Sequence, residues 1–377
     1  MGLPLSALIS ALETLAPLHL AEEWDNVGLL VDPRSAGEEL DVERVLLTID
    51  ATEAVVSEAE ACSVQCLVAY HPPLFRAQKR FSARRDPALS AAFSKRFAIY
   101  SPHTALDSAA GGLNDWLAEG LGPGTVRPLR PQVGSAAEAE LKLVVFVPSS
   151  AADALRVALA EAGAGVIGAY SQCSFNIEGE GTFLGDASTH PAVGQAEQLE
   201  RVPELRLEMV CPRRALPAAA SAIARVHPYE EPAWEVYPLT PKPVLSAGSG
   251  RLLELEKAVT LAEAVARVKR HLSLGRVRLA ACEQHAQGEE FSRIAVCAGS
   301  GGSVFENCEG AELLVTGEMR HHDVLSHLNA GRSVILCEHT NTERGYLPRL
   351  RERLLQALGS ELKVQLAAAD HEPLQLV

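Results

Sequence analysis

The chain has 377 residues, 47% hydrophobic and 22% charged, enough for two or three domains that each carry a core. Its 34 basic and 48 acidic residues give a net charge of −14, which disfavours non-specific binding to nucleic acid or anionic membranes. No apolar run approaches the roughly 20 residues of a membrane span, and the start lacks a secretion signal's basic and long apolar segments. The eight cysteines form no CxxC pair and read as buried free thiols of a reducing compartment. These features predict a cytoplasmic protein.

Along the chain, "MGLPLS" fits a loose myristoylation pattern. However, Leu5, Leu8, Ile9, Leu12 and Leu15 have helical spacing and predict an amphipathic helix packed on the core. "VERVLLTID" reads as a buried strand, 52–62 as a helix and "CLVAYHPP" as the next strand. "DPALSAAFSKR" reads as a helix with Pro87 at its first position. "FAIYSPHTALD" reads as a strand with its exit loop, followed by a helix over 108–120. This alternation predicts βαβ units. "GPGTVRPLRPQVGSAAEAE" (122–140) reads as a linker, after which "LKLVVFVP", helices over 151–163 and 214–226, "LRLEMVCP" and "AWEVYPL" suggest a ferredoxin-like domain. A second linker, "TPKPVLSAGSG", leads back to α/β sequence with "RIAVCAGSGG", "AELLVTGEM" and "SVILCEHT". The expected domains are 1–130 and 245–377 as two parts of one α/β domain, with 140–242 inserted.

The outer parts echo each other. His103-Thr-Ala-Leu-Asp107 and His339-Thr-Asn-Thr-Glu343 share the form His-Thr-x-x-acid, each just after an apolar strand. Each follows another histidine-bearing strand exit, "AYHPP" and "TGEMRHH". Open α/β sheets collect ligands beyond the carboxyl ends of their strands. His71, His103, Asp107, Glu318, His321, His322, His339 and Glu343 all belong to such exits or the adjoining loops. Imidazole and carboxylate together suit zinc, iron, manganese or another divalent ion. Acids from both halves could bridge two ions about 3.5–4 Å apart. Glu318 has a second reading as a helix cap, and His327 and the isolated histidines read as structural. "CAGSGG" reads either as an anion cradle or as a tight turn. "HPYEEPAWEVYP" reads as a domain-interface loop or a ligand lip.

Five ordered motifs, "EEWDNVGLLVD", "YHPPLF", "IYSPHTALD", "TGEMRHHDVL" and "CEHTNTERGYL", resemble the NIF-three-like family, also labelled GTP cyclohydrolase I type 2 homologues. The inserted segment resembles the PII/CutA-like insertion of longer members. The resemblance implies two related α/β halves around a dinuclear metal site and a homohexamer, as a trimer of dimers or a dimer of trimers. It implies His71, Asp107, His339 and Glu343 as metal ligands. Many members have two histidines before the proline; here the first is Tyr70, as in eukaryotic-type members. His103, Glu318, His321 and His322 match motif positions that orient ligands or shuttle protons. Two functions follow as expectations. One is a hydrolase with two divalent ions, acting on a small molecule or nucleotide, in which His103 or His322 moves protons. The other is a non-enzymatic, metal-bound scaffold or regulator.

Overall fold

The computed structural model describes residues 2–133, 140–240, 243–359 and 361–374. The chain divides into two compact units, one of Met1–Gln132 with Val244–Val377 and one of Val133–Pro243.

The first unit is built on two sheets. One has five strands in the order Lys363–Leu366, Arg44–Thr48, Cys66–Ala69, Ala98–Ser101, Gly28–Val31. All its neighbours are parallel except the last pair. The other has six, in the order Arg278–Ala280, Ser333–Leu336, Leu313–Glu318, Phe291–Ser300, Pro243–Val259, Gly124–Val133. Its three middle members before Pro243–Val259, from Ser333–Leu336 to Phe291–Ser300, are parallel. The first sheet therefore holds four consecutive parallel strands and the second three, and within each set the carboxyl ends share one edge.

The residues explain this arrangement. Cys66–Ala69, Ala98–Ser101 and Ser333–Leu336 are buried throughout, as expected for strands covered on both faces. Alternation then divides the side chains. Val45 and Leu47 join the large core that also holds Ile294, Val296, Val315 and Ile335 of the second sheet, while Leu46 faces a separate core under the helices Glu53–Ala61 and Pro87–Lys95. Full burial of such a side chain is worth ~1.5–3 kcal/mol. The helix Leu5–Leu15 buries Leu5, Leu8 and Leu12, as its spacing predicts. Thr52 and Thr260 cap the helices Glu53–Ala61 and Leu261–His271 through their side-chain oxygens.

Three local expectations are corrected. The exit after Ala98–Ser101 is a helix, His103–Ser108, followed by a second helix, Leu113–Glu119. The glycines at 111 and 112 separate them; Gly111 has φ +66°, which ends helical geometry. Most of both expected linkers is strand. Gly124–Val133 and Pro243–Val259 pair at the sheet edge, where prolines that donate no ladder hydrogen bond are tolerated. The remainders of those linkers, 134–139 and 241–242, lie outside the described residues.

The second unit has four strands in the order Trp234–Pro238, Glu140–Pro148, Leu199–Pro212, Phe175–Leu184, all antiparallel to their neighbours. The helices Ala152–Glu161 and Leu216–Val226 complete it, with Leu155, Leu159 and Ile223 in a core shared with Val145, Leu207 and Met209. No described helix is long and apolar enough to cross a membrane.

Candidate metal centre

Exits from both parallel sets of strands line one cavity of about 680 Å³ within the first unit. Tyr70 and His71 follow Cys66–Ala69, and His103 and Asp107 follow Ala98–Ser101. His339 and Glu343 follow Ser333–Leu336. All six side chains belong to residues lining the cavity. Two exits are conformationally strained: His103 has φ +23° and Glu338 φ +64°, a region that non-glycine residues visit only when their surroundings enforce it. On its short helix, Asp107 follows His103 by one turn, which brings imidazole and carboxylate to the same side.

Glu343 is the centre of the group. It is 2% exposed, with His71 Nε2 3.4 Å from its Oε2 and His339 Nε2 3.5 Å from its Oε1. One ligand atom from each of the three lies within 4.8 Å of the others. Oε2 is sealed from solvent yet has no hydrogen-bond partner among the described residues, an arrangement that costs about 1–3 kcal/mol unless something else meets the charge. Gly299, at φ +59°, borders the same atoms: a Cβ there would stand 2.8 Å from Glu343 Oε1 and 3.0 Å from His339 Nε2. Two imidazole nitrogens, an orphaned carboxylate oxygen and a glycine-cleared wall fit a divalent ion.

The imidazoles are pre-oriented. His71 Nδ1 is 2.9 Å from Asp50 Oδ1, His339 Nδ1 is 2.8 Å from Glu318 Oε1, and His103 Nδ1 is 2.8 Å from Asp25 Oδ1. Each carboxylate holds one ring nitrogen and leaves Nε2 as the available donor, the arrangement that fixes metal-ligating histidines. Glu318 is thus a partner of His339; no side chain caps the helix His321–Asn329 that follows. Asp50 and Asp25 were not singled out by sequence reasoning. The signals were the acid ending "LLTID" and the one in "EEWDN".

Charge is distributed unevenly. Burial opposes protonation of His71, but the Asp50 hydrogen bond and Glu343 outweigh it and push its pKa up to about 10. Burial also raises Asp50 and Asp25, yet hydrogen bonds from His71 and His103 leave both carboxyls below their ordinary range. Asp107 behaves oppositely. Burial, aided by the Glu343 charge, brings it up to about 6 against the lowering pull of His103, Tyr70 and His71. Its Oδ1 accepts a 2.5 Å hydrogen bond from the Tyr70 phenol, itself raised well above its usual pKa by burial and by Asp107 and Glu343. Buried Asn114 joins the halves, donating to Asp107 O and accepting from Ala298 N.

His321 and His322 are not brought to the cavity lining. Their rings meet edge-to-face at 5.6 Å on an exposed helix start, so the structure leaves them apart from the group that holds His103. Within "CAGSGG", Gly299 N donates to Thr342 Oγ1 and Gly301 N to Thr316 Oγ1. Those donors are spent on closing the turn rather than on an anion.

Comparison with known proteins agrees along the whole chain. The family model described as Duf34/NIF3 (NGG1p interacting factor 3) matches residues 3–373. NIF3-like protein 1 of Rattus norvegicus is 37% identical over 376 residues, covering 99% of this chain and 93% of its own. The GTP cyclohydrolase 1 type 2 homolog of Mycobacterium tuberculosis is 34% identical, covering 100% and 98%. Among solved structures, a Bacillus cereus protein related to NIF3 aligns with a TM-score of 0.69 at 31% identity, covering 100% of both chains. A Staphylococcus aureus protein aligns at 0.80 and 24% identity, covering 100% and 99%, a likeness of fold.

Proposed function

We propose, from the premise that this chain belongs to the Duf34/NIF3 family, that it is a metal-dependent hydrolase with a dinuclear centre and a nucleotide-like substrate. The observation that carries this reading is Glu343 Oε2, buried without a hydrogen-bond partner among the described residues and 3.4 Å from His71 Nε2, beside two imidazoles whose other nitrogens are already held. His71, His339 and Glu343 would hold one ion, and Asp107 with Glu343 would share the second. Zinc, iron or manganese would supply Lewis acidity and a bound water of lowered pKa. Asp50 and Glu318 hold the ligating rings in one orientation. His103, whose Nδ1 faces Asp25, presents Nε2 as the site that takes or returns a proton during hydrolysis. Tyr70 keeps Asp107 Oδ1 in place through its phenol hydrogen bond. The GTP cyclohydrolase 1 type 2 name carried by relatives supports a purine nucleotide opened at a C–N bond.

The same reading includes a cytoplasmic homohexamer and a ferredoxin-like, PII/CutA-like second unit. The βαββαβ order and the antiparallel sheet support the latter.

Elemental analysis of anaerobically purified protein tests the centre. About two equivalents of a transition metal per chain are expected. Glu343→Gln is expected to lose the metal, and Asp107→Asn to lose one equivalent. Hydrolysis that persists in a metal-free Asp107→Asn/Glu343→Gln protein would reject the mechanism.

A further inference from the structure

At the rim of the metal cavity stands an aromatic group with no role in holding an ion. Trp24 and Phe75 both line the cavity and remain 60% and 45% exposed. Their ring centroids are 5.8 Å apart, and each lies near the His103 ring, at 6.0 and 6.2 Å. The loops that carry them are tied together, because Asn26 Nδ2 donates to Leu74 O at 2.5 Å. Asp25, beside Trp24, anchors His103 and Thr104. The two loops are therefore fastened to each other, and the rings, inclined by 52°, stay substantially exposed. Scattered exposed aromatics are ordinary, but two fastened together at an angle over a polar cavity form a cleft in which a planar ring can stack on one and meet the other obliquely.

Arg130 lines the same cavity. It is half-buried, and its guanidinium makes no ion pair or hydrogen bond among the described residues. Acidic groups already occupy the metal end, in Asp107 and Glu343. An unpaired guanidinium in such a cavity matches an anionic group on the ligand.

We propose that Trp24 is the platform on which the planar ring of a purine nucleotide stacks, with Phe75, inclined to it by 52°, flanking the ring, while Arg130 takes its phosphate. The assignment rests on the hydrolase reading for what happens at the metal end, but the platform itself needs no ion. A volume of about 680 Å³ is of the size that holds such a ligand. Stacking tolerates different bases because each has a π face, so ring discrimination comes from groups deeper in the cavity.

Guanosine and GMP are the probes, titrated calorimetrically into full-length protein as purified and after chelation, with metal content and sedimentation measured in parallel. The intact protein is expected to bind GMP about tenfold more tightly than guanosine, reflecting one charge-assisted contact. Trp24→Ala should weaken both about tenfold, and Trp24→Phe should restore most of that loss. Arg130→Gln should bring GMP down to guanosine and leave guanosine unchanged. Metal content should be the same in every variant. Absence of saturable guanosine binding, or equal binding by Trp24→Ala, overturns the platform. A GMP preference that survives Arg130→Gln overturns the phosphate contact. A changed sedimentation coefficient in Trp24→Ala with unchanged affinity would mean that a second copy covers the rings, which also overturns the proposal. Trp24-dependent guanosine binding by protein that is metal-free as purified and takes up no zinc, iron or manganese on reconstitution would instead sink the hydrolase reading and leave the platform standing.

Discussion

His71 shows how tightly charge and ligation are linked at the level of one side chain. Below its raised pKa of about 10 the ring carries a proton, and that proton competes with a cation for Nε2. Raising pH therefore favours the ion. Metal uptake near neutrality is expected to release about one proton, and apparent affinity to rise about tenfold per pH unit between roughly pH 7 and 9. Calorimetry in buffers of different ionisation enthalpy checks the proton count; an affinity independent of pH would contradict it. Gly299 is equally exacting. Alanine there adds a Cβ against Glu343 and His339 and suffers the left-handed backbone penalty of ~1–2 kcal/mol. Gly299→Ala is expected to lose metal while keeping its far-ultraviolet circular dichroism.

Among the elements, the short helix His103–Ser108 depends on a buried arginine several strands away in sequence. Arg251, 1% exposed, donates to Ser108 O and Ala109 O at that helix's end, to Gly248 O and Gly250 O, and to both oxygens of Asp115. It satisfies the terminal carbonyls of the element that carries Asp107. Arg251→Met would remove the guanidinium from those carbonyls and from Asp115, leaving the Asp115 carboxylate only the Gly111 N–H and Ala109 O only the Gly112 N–H among the described residues. The expected loss is about 3–5 kcal/mol in urea unfolding, with reduced metal content in the folded fraction. A loss below ~1 kcal/mol, the scale of an exposed pair, would show that the arginine is not holding the helix. None of this was legible in "SGRLL": an arginine beside a glycine pair reads as surface until the carbonyls of residues far back in the chain are placed around it.

The whole molecule separates chemistry from addition. Every residue of the candidate centre belongs to the first unit, whereas Val133–Pro243 has its own core. The chain leaves and re-enters the first unit through neighbouring strands, Gly124–Val133 and Pro243–Val259. Replacing 134–242 by a short Gly/Ser linker is accordingly expected to preserve cooperative unfolding and metal content. Loss of both on excision would show that the second unit is required for the first to fold.

The recurrence of His-Thr-x-x-acid after two apolar strands was enough to nominate His103, Asp107, His339 and Glu343, and the strand exit "AYHPP" added His71, because strand periodicity and ionisable groups are local properties of sequence. Period and composition likewise disclosed the alternation of strands and helices. The proline-bearing edge strand Gly124–Val133 and the start of its neighbour Pro243–Val259 were misread as linkers, since strand pairing is not a matter of residue type. Which nitrogen faces a cation, that Asp50 and Asp25 fix the rings, that Glu343 Oε2 has no partner, and that His321 and His322 stand off the cavity all depend on side chains brought together from distant segments. Those are distances and burials, and a linear order of residues contains neither.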